Sequence, residues 1–305
     1  MGAPVRVLTR SALRRWPLPD PGSEADKETR GQVLVVAGSA EIPGAAILAG
    51  EAALRAGAGK LVIAAPRDIA QGLAMTVPES RVIGLPQTCD GGIDAVGACK
   101  VLLPLSAGVR ALVMGPGMQD EQRCVRLVHS LLPAFAHAPV VLDAMAMGAA
   151  RDDSAFIQPI ILTPHAGEMA SMCGMTKDEV AADPLATVRM AADAFNACIV
   201  LKGARTHVCL PGEAAWRFDG GMPGLATSGS GDTLAGLIGG LAARGLSPEG
   251  ACAWGVMLHA RAGRALARRV APLGYLAREL PREFPAQLKA LDDSLRQQLP
   301  KRRLD

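Results

Sequence analysis

The sequence predicts an α/β protein built on a mostly parallel sheet, and three observations carry that reading. Short, β-branched apolar runs such as 32–37 recur along the chain, as strands buried on both faces require. Helical stretches of roughly a dozen residues separate many of them, long enough for right-handed βαβ crossovers. Gly and Pro gather where the apolar runs stop, marking the loops. Half of the 305 residues are apolar, so one large core is within reach. Aromatics make up only 3%, which leaves Ala, Val, Leu, Ile and Met to fill it.

Taken in order, residues 1–30 contain Pro4, Pro17, Pro19 and Pro21 and read as an extended N-terminal arm with one short helix near 9–15. The core, 31–285, opens with the strand at 32–37, closed by Gly38 and Ser39. A loop at 40–44 leads into a helix over 45–56, stopped by Gly57-Ala58-Gly59, and a second strand follows at 60–65. Further strands are expected at 81–85, 111–114, 140–142, 160–162 and 199–201, with helices near 93–103, 121–132 and 185–195. The rhythm then changes: 207–210 and 215–218 flank a Pro211-Gly212 turn, as in an edge hairpin. An alanine- and glycine-rich helix running to Arg244 and a long helix at 248–270 complete the core. Arg261, Arg264 and Arg268 recur on the last helix as a solvated face. The tail, 286–305, is polar and ends near Lys301-Arg302-Arg303, as a frayed terminus would.

A net charge of +3 is too small to imply a nucleic-acid partner. Seven cysteines form no Cys-x-x-Cys pair, and their odd number reads as reduced thiols in a cytoplasmic protein. Arg6, Arg10, Arg14 and Arg15 are not followed by the apolar core of a secretion signal. Apolar runs are broken by Glu51, Arg55 and Lys60, so no membrane span is expected.

The chemistry centres on 225–236, where Ser228-Gly229-Ser230-Gly231-Asp232 opens directly into a helix. Gly229 and Gly231 allow the main chain to approach a ligand closely. First-turn N–H groups lack partners within their helix, and aligned peptide dipoles favour an anion there. Asp232, in that field, is expected to stay ionised and to act as a base beside a phosphate. The plainer reading is a turn whose Asp caps a helix without any ligand. Neither common nucleotide loop is present. Gly59-Lys60-Leu61 lacks the Walker spacing, and Gly229-x-Gly231 lacks the third Gly of a dinucleotide fingerprint. Parallel α/β sheets bind ligands beyond the carboxyl ends of their strands. Unusual loops fall at five such ends: Gly38-Ser39 with Pro43-Gly44, Gly115-Pro116-Gly117, Asp143-Ala144-Met145, 163–168 and 202–206.

In this order, Gly38-Ser39…Pro43-Gly44-Ala45, Gly115-Pro-Gly117, Leu142-Asp-Ala144, Leu162-Thr-Pro-His-Ala-Gly-Glu168, Leu201-Lys-Gly-Ala204 and Gly229-Ser-Gly-Asp232 resemble the ADP-dependent (S)-NAD(P)H-hydrate dehydratases. That family lies within the ribokinase-like superfamily, and the resemblance spans about 31–282. It implies a three-layer α/β/α sandwich around a mostly parallel central sheet. It also implies dehydration of the hydrated cofactors NADHX and NADPHX to NADH and NADPH, with ADP (or ATP) as phosphoryl donor and Mg²⁺. With ADP, the products include AMP and phosphate. Carried over by residue, Asp232 activates the hydrate's hydroxyl. Ala45, Gly117, His165 and Asp232 match substrate positions. Lys202, Gly203, Ala204, Arg205, Thr206, Gly229, Ser230 and Gly231 match the adenine-nucleotide site. Glu168 either organises Mg²⁺ through water or braces its loop. Lys202 either meets a phosphate or is a solvated strand cap, the backbone then binding the nucleotide. Asp143 either approaches the metal or caps a turn.

The chain departs from the family at Met145, which replaces an acid, and at Ile42-Pro43, where a Tyr is usual. Thirty residues ahead of the core are too few for the epimerase domain of some relatives, so a separate epimerase is expected. A homo-oligomer, such as a tetramer, is implied by the relatives; the alanine-rich face of the first helix offers a surface for a second copy. The alternatives are a ribokinase-like small-molecule kinase acting on a vitamin precursor or sugar, and a nucleotide-binding protein without catalysis.

Overall fold

The computed structural model describes residues 5–20, 22, 26–151, 156 and 158–297. Its strands are β1 (Arg6–Val7), β2 (Gln32–Val36), β3 (Lys60–Pro66), β4 (Arg81–Leu85), β5 (Ala111–Met114), β6 (Val140–Leu142), β7 (Ile160–Leu162), β8 (Cys198–Leu201), β9 (Thr206–Cys209) and β10 (Trp216–Phe218). Its α-helices are α1 (Gly44–Arg55), α2 (Arg67–Thr76), α3 (Ala95–Leu102), α4 (Glu121–Leu131), α5 (Ala166–Cys173), α6 (Lys177–Ala182), α7 (Pro184–Phe195), α8 (Ser230–Ala243), α9 (Pro248–Arg269) and α10 (Leu280–Arg296).

All ten strands join one sheet in the order β1-β10-β9-β8-β7-β6-β5-β2-β3-β4. From β8 to β4 every pairing is parallel, and β9 and β10 add the antiparallel edge hairpin. Successive side chains on each strand face opposite ways. Val33 and Val35 therefore enter a core with α1, α8, α9 and α10, whereas Leu34 and Val36 enter one with α3, α4, α5 and α7. Two apolar faces per strand explain the continuous apolar runs and give an α/β/α sandwich.

Close packing accounts for the alanine and glycine content. A Cβ at Gly236 of α8 would collide with the Ala49 carbonyl oxygen of α1, and one at Gly240 with the backbone of Ala53. A Cβ at Gly239 would strike Val113 of the sheet. Ala46, Ala49, Ala52 and Ala53 are consequently buried in the core with α8. The alanine face of α1 is thus occupied within the chain itself, and the copy-to-copy surface expected there is not free.

Both ends of the described chain are more embedded than their composition suggests. The short helix expected near 9–15 is a 3-10 helix, Ser11–Arg15, and β1 pairs in parallel with β10. Trp16 Nε1 donates to Glu249, as does Trp216 Nε1, and Trp254 Nε1 donates to the Trp16 carbonyl at 2.7 Å. Leu8, Leu13 and Leu18 are buried with them. Beyond Pro285, α10 continues to Arg296, with Leu291 and Leu295 in the core. A frayed tail there is corrected to a packed helix, because its apolar residues recur at helical spacing. The basic stretch Lys301-Arg302-Arg303 lies outside the described residues.

Candidate active site

Parallel register brings the loops together. Hydrogen bonding continues past the strand ends: Gly115 N donates to the Val36 carbonyl, Asp143 N to Met114, Thr163 N to Leu142, and Lys202 N to Pro164. Residues 115, 143, 163 and 202 therefore line up along the carboxyl edge of the sheet. Gly115, at φ +115°, is needed because any Cβ would collide with the Asp143 carbonyl. Asp143 is 3% exposed; its Oδ1 accepts from Thr163 Oγ1 at 2.7 Å and lies 3.2 Å from Lys202 Nζ.

Beside this row the N-terminus of α8 points at a cavity of about 680 Å³, within the range of small-molecule sites. Asp143, His165, Glu168, Lys202, Gly203, Ala204 and Thr206 line it from the sheet side. Gly229, Ser230, Gly231 and Asp232 line it from the helix side. Gly229 caps α8 at φ +85°, and a side chain there would strike Leu48 of α1. The turn is thus fixed by a backbone only glycine adopts easily, and it aims the helix's free amides into the cavity.

Asp232 behaves differently from the sequence expectation. Instead of being held low by the helix dipole, its carboxyl is pushed up to about 6, first by burial and then by the Asp143 charge, with Lys202 opposing. It is still mostly ionised at neutral pH. Lys202 is likewise no solvated cap. Its ammonium lies inside the cavity, 3.7 Å from Glu168 and close enough to Gly231 that a Cβ there would sit 3.2 Å away. Burial works against that charge, but Asp143 and Glu168 more than offset it and hold the lysine above its ordinary value.

His165 starts α5. Its Nδ1 accepts from the amides of Gly167 and Glu168, so the ring proton resides on Nε2. Glu168 Oε2 accepts from His165 N at 2.7 Å, completing a capping box. Glu168 therefore braces its loop in this structure. Arg205 is turned outward, ion-paired with Asp219 and absent from the cavity wall. Ala45 and Gly117 also lie outside that wall. They abut each other, a Cβ on Gly117 falling 2.6 Å from that of Ala45, where the loops after β2 and β5 diverge. That divergence is the switch point of the strand order, at which crevices form in open parallel sheets. Met145 is exposed, in a 3-10 helix leading away from Asp143.

Two parts of the site were not anticipated. Part of the cavity lining is apolar, made by Phe218, Met222, Leu225, Leu234, Val256 and Ala260. These come from four separate segments, and no local pattern joins them. His259 of α9 is buried, lines the cavity and contacts Ser230. A lone polar residue in the apolar stripe of a long helix was its only signal. Among the described residues, no group of three His, Cys, Asp or Glu side chains is placed to hold a metal ion.

A family model described as NAD(P)H-hydrate dehydratase matches residues 33–286. An ADP-dependent (S)-NAD(P)H-hydrate dehydratase of Xanthomonas campestris pv. campestris is 46% identical over 95% of this chain and 98% of its own length. A bifunctional NAD(P)H-hydrate repair enzyme of Moorella thermoacetica is 38% identical over 95% of this chain, which spans only 55% of that longer protein. Among solved structures, the ADP/ATP-dependent NAD(P)H-hydrate dehydratase of Bacillus subtilis, co-crystallised with ATP and Mg²⁺, superposes with a TM-score of 0.81. It is 30% identical and covers 95% of this chain and 99% of its own. A ribokinase-like sandwich with these motifs at its carboxyl edge, matched over nearly its whole length by such relatives, belongs to the NAD(P)H-hydrate dehydratase family.

Proposed function

We propose that the protein restores NADH and NADPH from their S-configured hydrates by phosphorylating the hydrate's hydroxyl with ADP and then expelling phosphate. The observation that carries this reading is the placement of Asp232 in the first turn of α8, facing the Asp143–Lys202 pair across one cavity. A carboxyl raised to about 6 is a base poised near neutral pH, able to take the hydroxyl proton as the oxygen attacks the terminal phosphorus. The bond to the nucleotide breaks as the new P–O bond forms, and AMP leaves. The amides of Gly231 and Asp232 and the Lys202 ammonium stabilise charge on the transferring group, which is most of what phosphoryl transfer requires. Hydroxide is a poor leaving group; as a phosphate ester it departs with its bonding electrons while the neighbouring carbon loses a proton.

Gly203, Ala204 and Thr206 supply a polar lip for the nucleotide, and the apolar wall from Phe218 to Ala260 suits a base. His165 Nε2–H and the Ala45–Gly117 crevice are assigned to the hydrate, although Ala45 and Gly117 do not line the cavity. Asp143 and Glu168 are hard oxygen donors of the kind that would hold Mg²⁺, Glu168 through water. Charge neutralisation on the phosphates is what that ion supplies when bound. Seven free cysteines suit a reducing cytoplasm, and among the described residues no helix is long and apolar enough to cross a membrane. A homo-oligomer, and an epimerase that interconverts the hydrate's two epimers, complete the proposal. The latter is supported by the bifunctional repair enzymes among the relatives.

The test is to incubate the protein with NADPH hydrate, ADP or ATP and Mg²⁺ while following NADPH absorbance. Recovery of NADPH with one nucleotide cleaved per turnover supports the proposal. A stable phosphate ester would point to a kinase instead, and binding without turnover to a non-catalytic binder.

A further inference from the structure

We propose that His259 is a positioning residue that turns the Ser230 hydroxyl into a hydrogen-bond donor aimed at the nucleotide's terminal phosphate. This deepens the reading above and rests on it.

His259 Nε2 lies 3.1 Å from the Ser230 carbonyl oxygen and 3.1 Å from Ser230 Oγ. A carbonyl oxygen only accepts, so Nε2 must carry the proton and donate. The same N–H then faces the hydroxyl oxygen, and Ser230 cannot donate back to a nitrogen that has no free lone pair. Its own proton must point elsewhere. Ser230 is buried, at 5% exposure, and lines the cavity beside Asp232 and the free amides of α8, so the open direction is the ligand. Burial holds the His259 ring down to about 4, neutral at working pH, which keeps Nε2 as its single N–H and fixes this polarity. A protonated ring would add a second positive charge near Lys202, which already opposes it.

The geometry has a structural side too. Ser230 begins α8, and His259 sits midway along α9, so the contact ties the phosphate-facing turn to the helix behind it. A purely structural tie and a hydroxyl-orienting role make different forecasts. The first weakens every ligand of the site together. The second affects only ligands that present a terminal phosphate to Ser230.

The experiment measures Kd for ADP and for AMP, by calorimetry with Mg²⁺, in wild type, Ser230→Ala, His259→Phe, His259→Gln and the Ser230→Ala/His259→Phe double variant. The Gln side-chain amide can place an N–H near Nε2, whereas Phe fills the space without one. Loss of one hydrogen bond to a charged group is expected to weaken ADP about tenfold or more in Ser230→Ala and His259→Phe. AMP affinity should stay within about twofold, the double variant should be no worse than the singles, and His259→Gln should recover most of the loss. ADP affinity unchanged in His259→Phe would overturn the proposal. So would ADP and AMP weakening in parallel, or losses that multiply in the double variant. Should His259→Phe not fold, His259→Gln against His259→Asn, whose shorter amide falls short of Ser230, carries the same comparison. Wild-type turnover of NADPH hydrate is measured separately. Its absence would remove the dehydratase reading while the ADP-against-AMP comparison still decides the role of His259.

Discussion

The ammonium of Lys202 sits 3.2 Å from Oδ1 of Asp143, a carboxylate only 3% exposed, and so places a cation among three acids. Asp143 raises Asp232, Glu168 does so to a smaller degree, and Lys202 works against both. Removing the cation and removing the neighbouring anion should therefore move the working base in opposite directions. In Lys202→Met the acidic limb of kcat/KM against pH is expected to move up, and in Asp143→Asn to move down. Full pH profiles check this; a shift in the same direction for both variants contradicts it.

The same raised carboxyl has a stability consequence. The folded chain holds the Asp232 proton more tightly than the unfolded chain, so the native state is favoured below the unfolded value and loses that advantage as pH climbs through about 6. Asp232→Asn lacks the loss. Without ligand, the variant is expected to be more stable than wild type by about 3 kcal/mol at pH 8, with the difference shrinking to about 0.5 kcal/mol near pH 4. Urea titrations at the two pH values measure it.

Packing of α1 on α8 rests on missing side chains. Gly236→Ala should cost at least about 3 kcal/mol, because its methyl meets the Ala49 backbone, which cannot rotate away. Gly72→Ala, in α2 with open space around it, should instead gain about 0.5–1 kcal/mol from helix propensity. Thermal melts of the two variants should move in opposite directions.

With no three-residue set for a metal among the described residues, Mg²⁺ is expected to join the site with the nucleotide rather than ahead of it. Mg²⁺ alone should leave Tm unchanged, ADP with Mg²⁺ should raise it, and EDTA should abolish turnover without lowering the Tm of the ligand-free protein. A clear Tm shift with Mg²⁺ alone would count against this arrangement.

Much of this architecture could be read from local pattern. The strands at 81–85, 111–114, 140–142 and 160–162 fall where the apolar runs place them, since buried parallel strands need little beyond β-branched runs closed by Gly or Pro. Loops at the strand ends were legible for the same reason: topology puts every parallel strand's carboxyl end on one edge. What escaped was non-local. β1 is two residues long and exists only because β10 offers an edge, and α10 was obscured by its charges and Pro285. Asp232 stays mostly ionised as the helix dipole suggests, but its upward shift could not be read, because a sequence displays the dipole and neither the burial nor the Asp143 carboxylate across the cavity. Lys202 looked solvated for the same reason, and His259 enters the site only through the crossing of α9 behind α8.

The central claim is that the Asp232 carboxylate takes the proton from the substrate hydroxyl. Single-turnover conversion of NADPH hydrate by Asp232→Asn, with nucleotide saturating and its Kd measured in parallel, addresses that claim alone. The expected result is a rate lower by about a thousandfold or more with nucleotide affinity within a few-fold of wild type. Turnover comparable to wild type in a properly folded Asn variant would contradict the role assigned to Asp232.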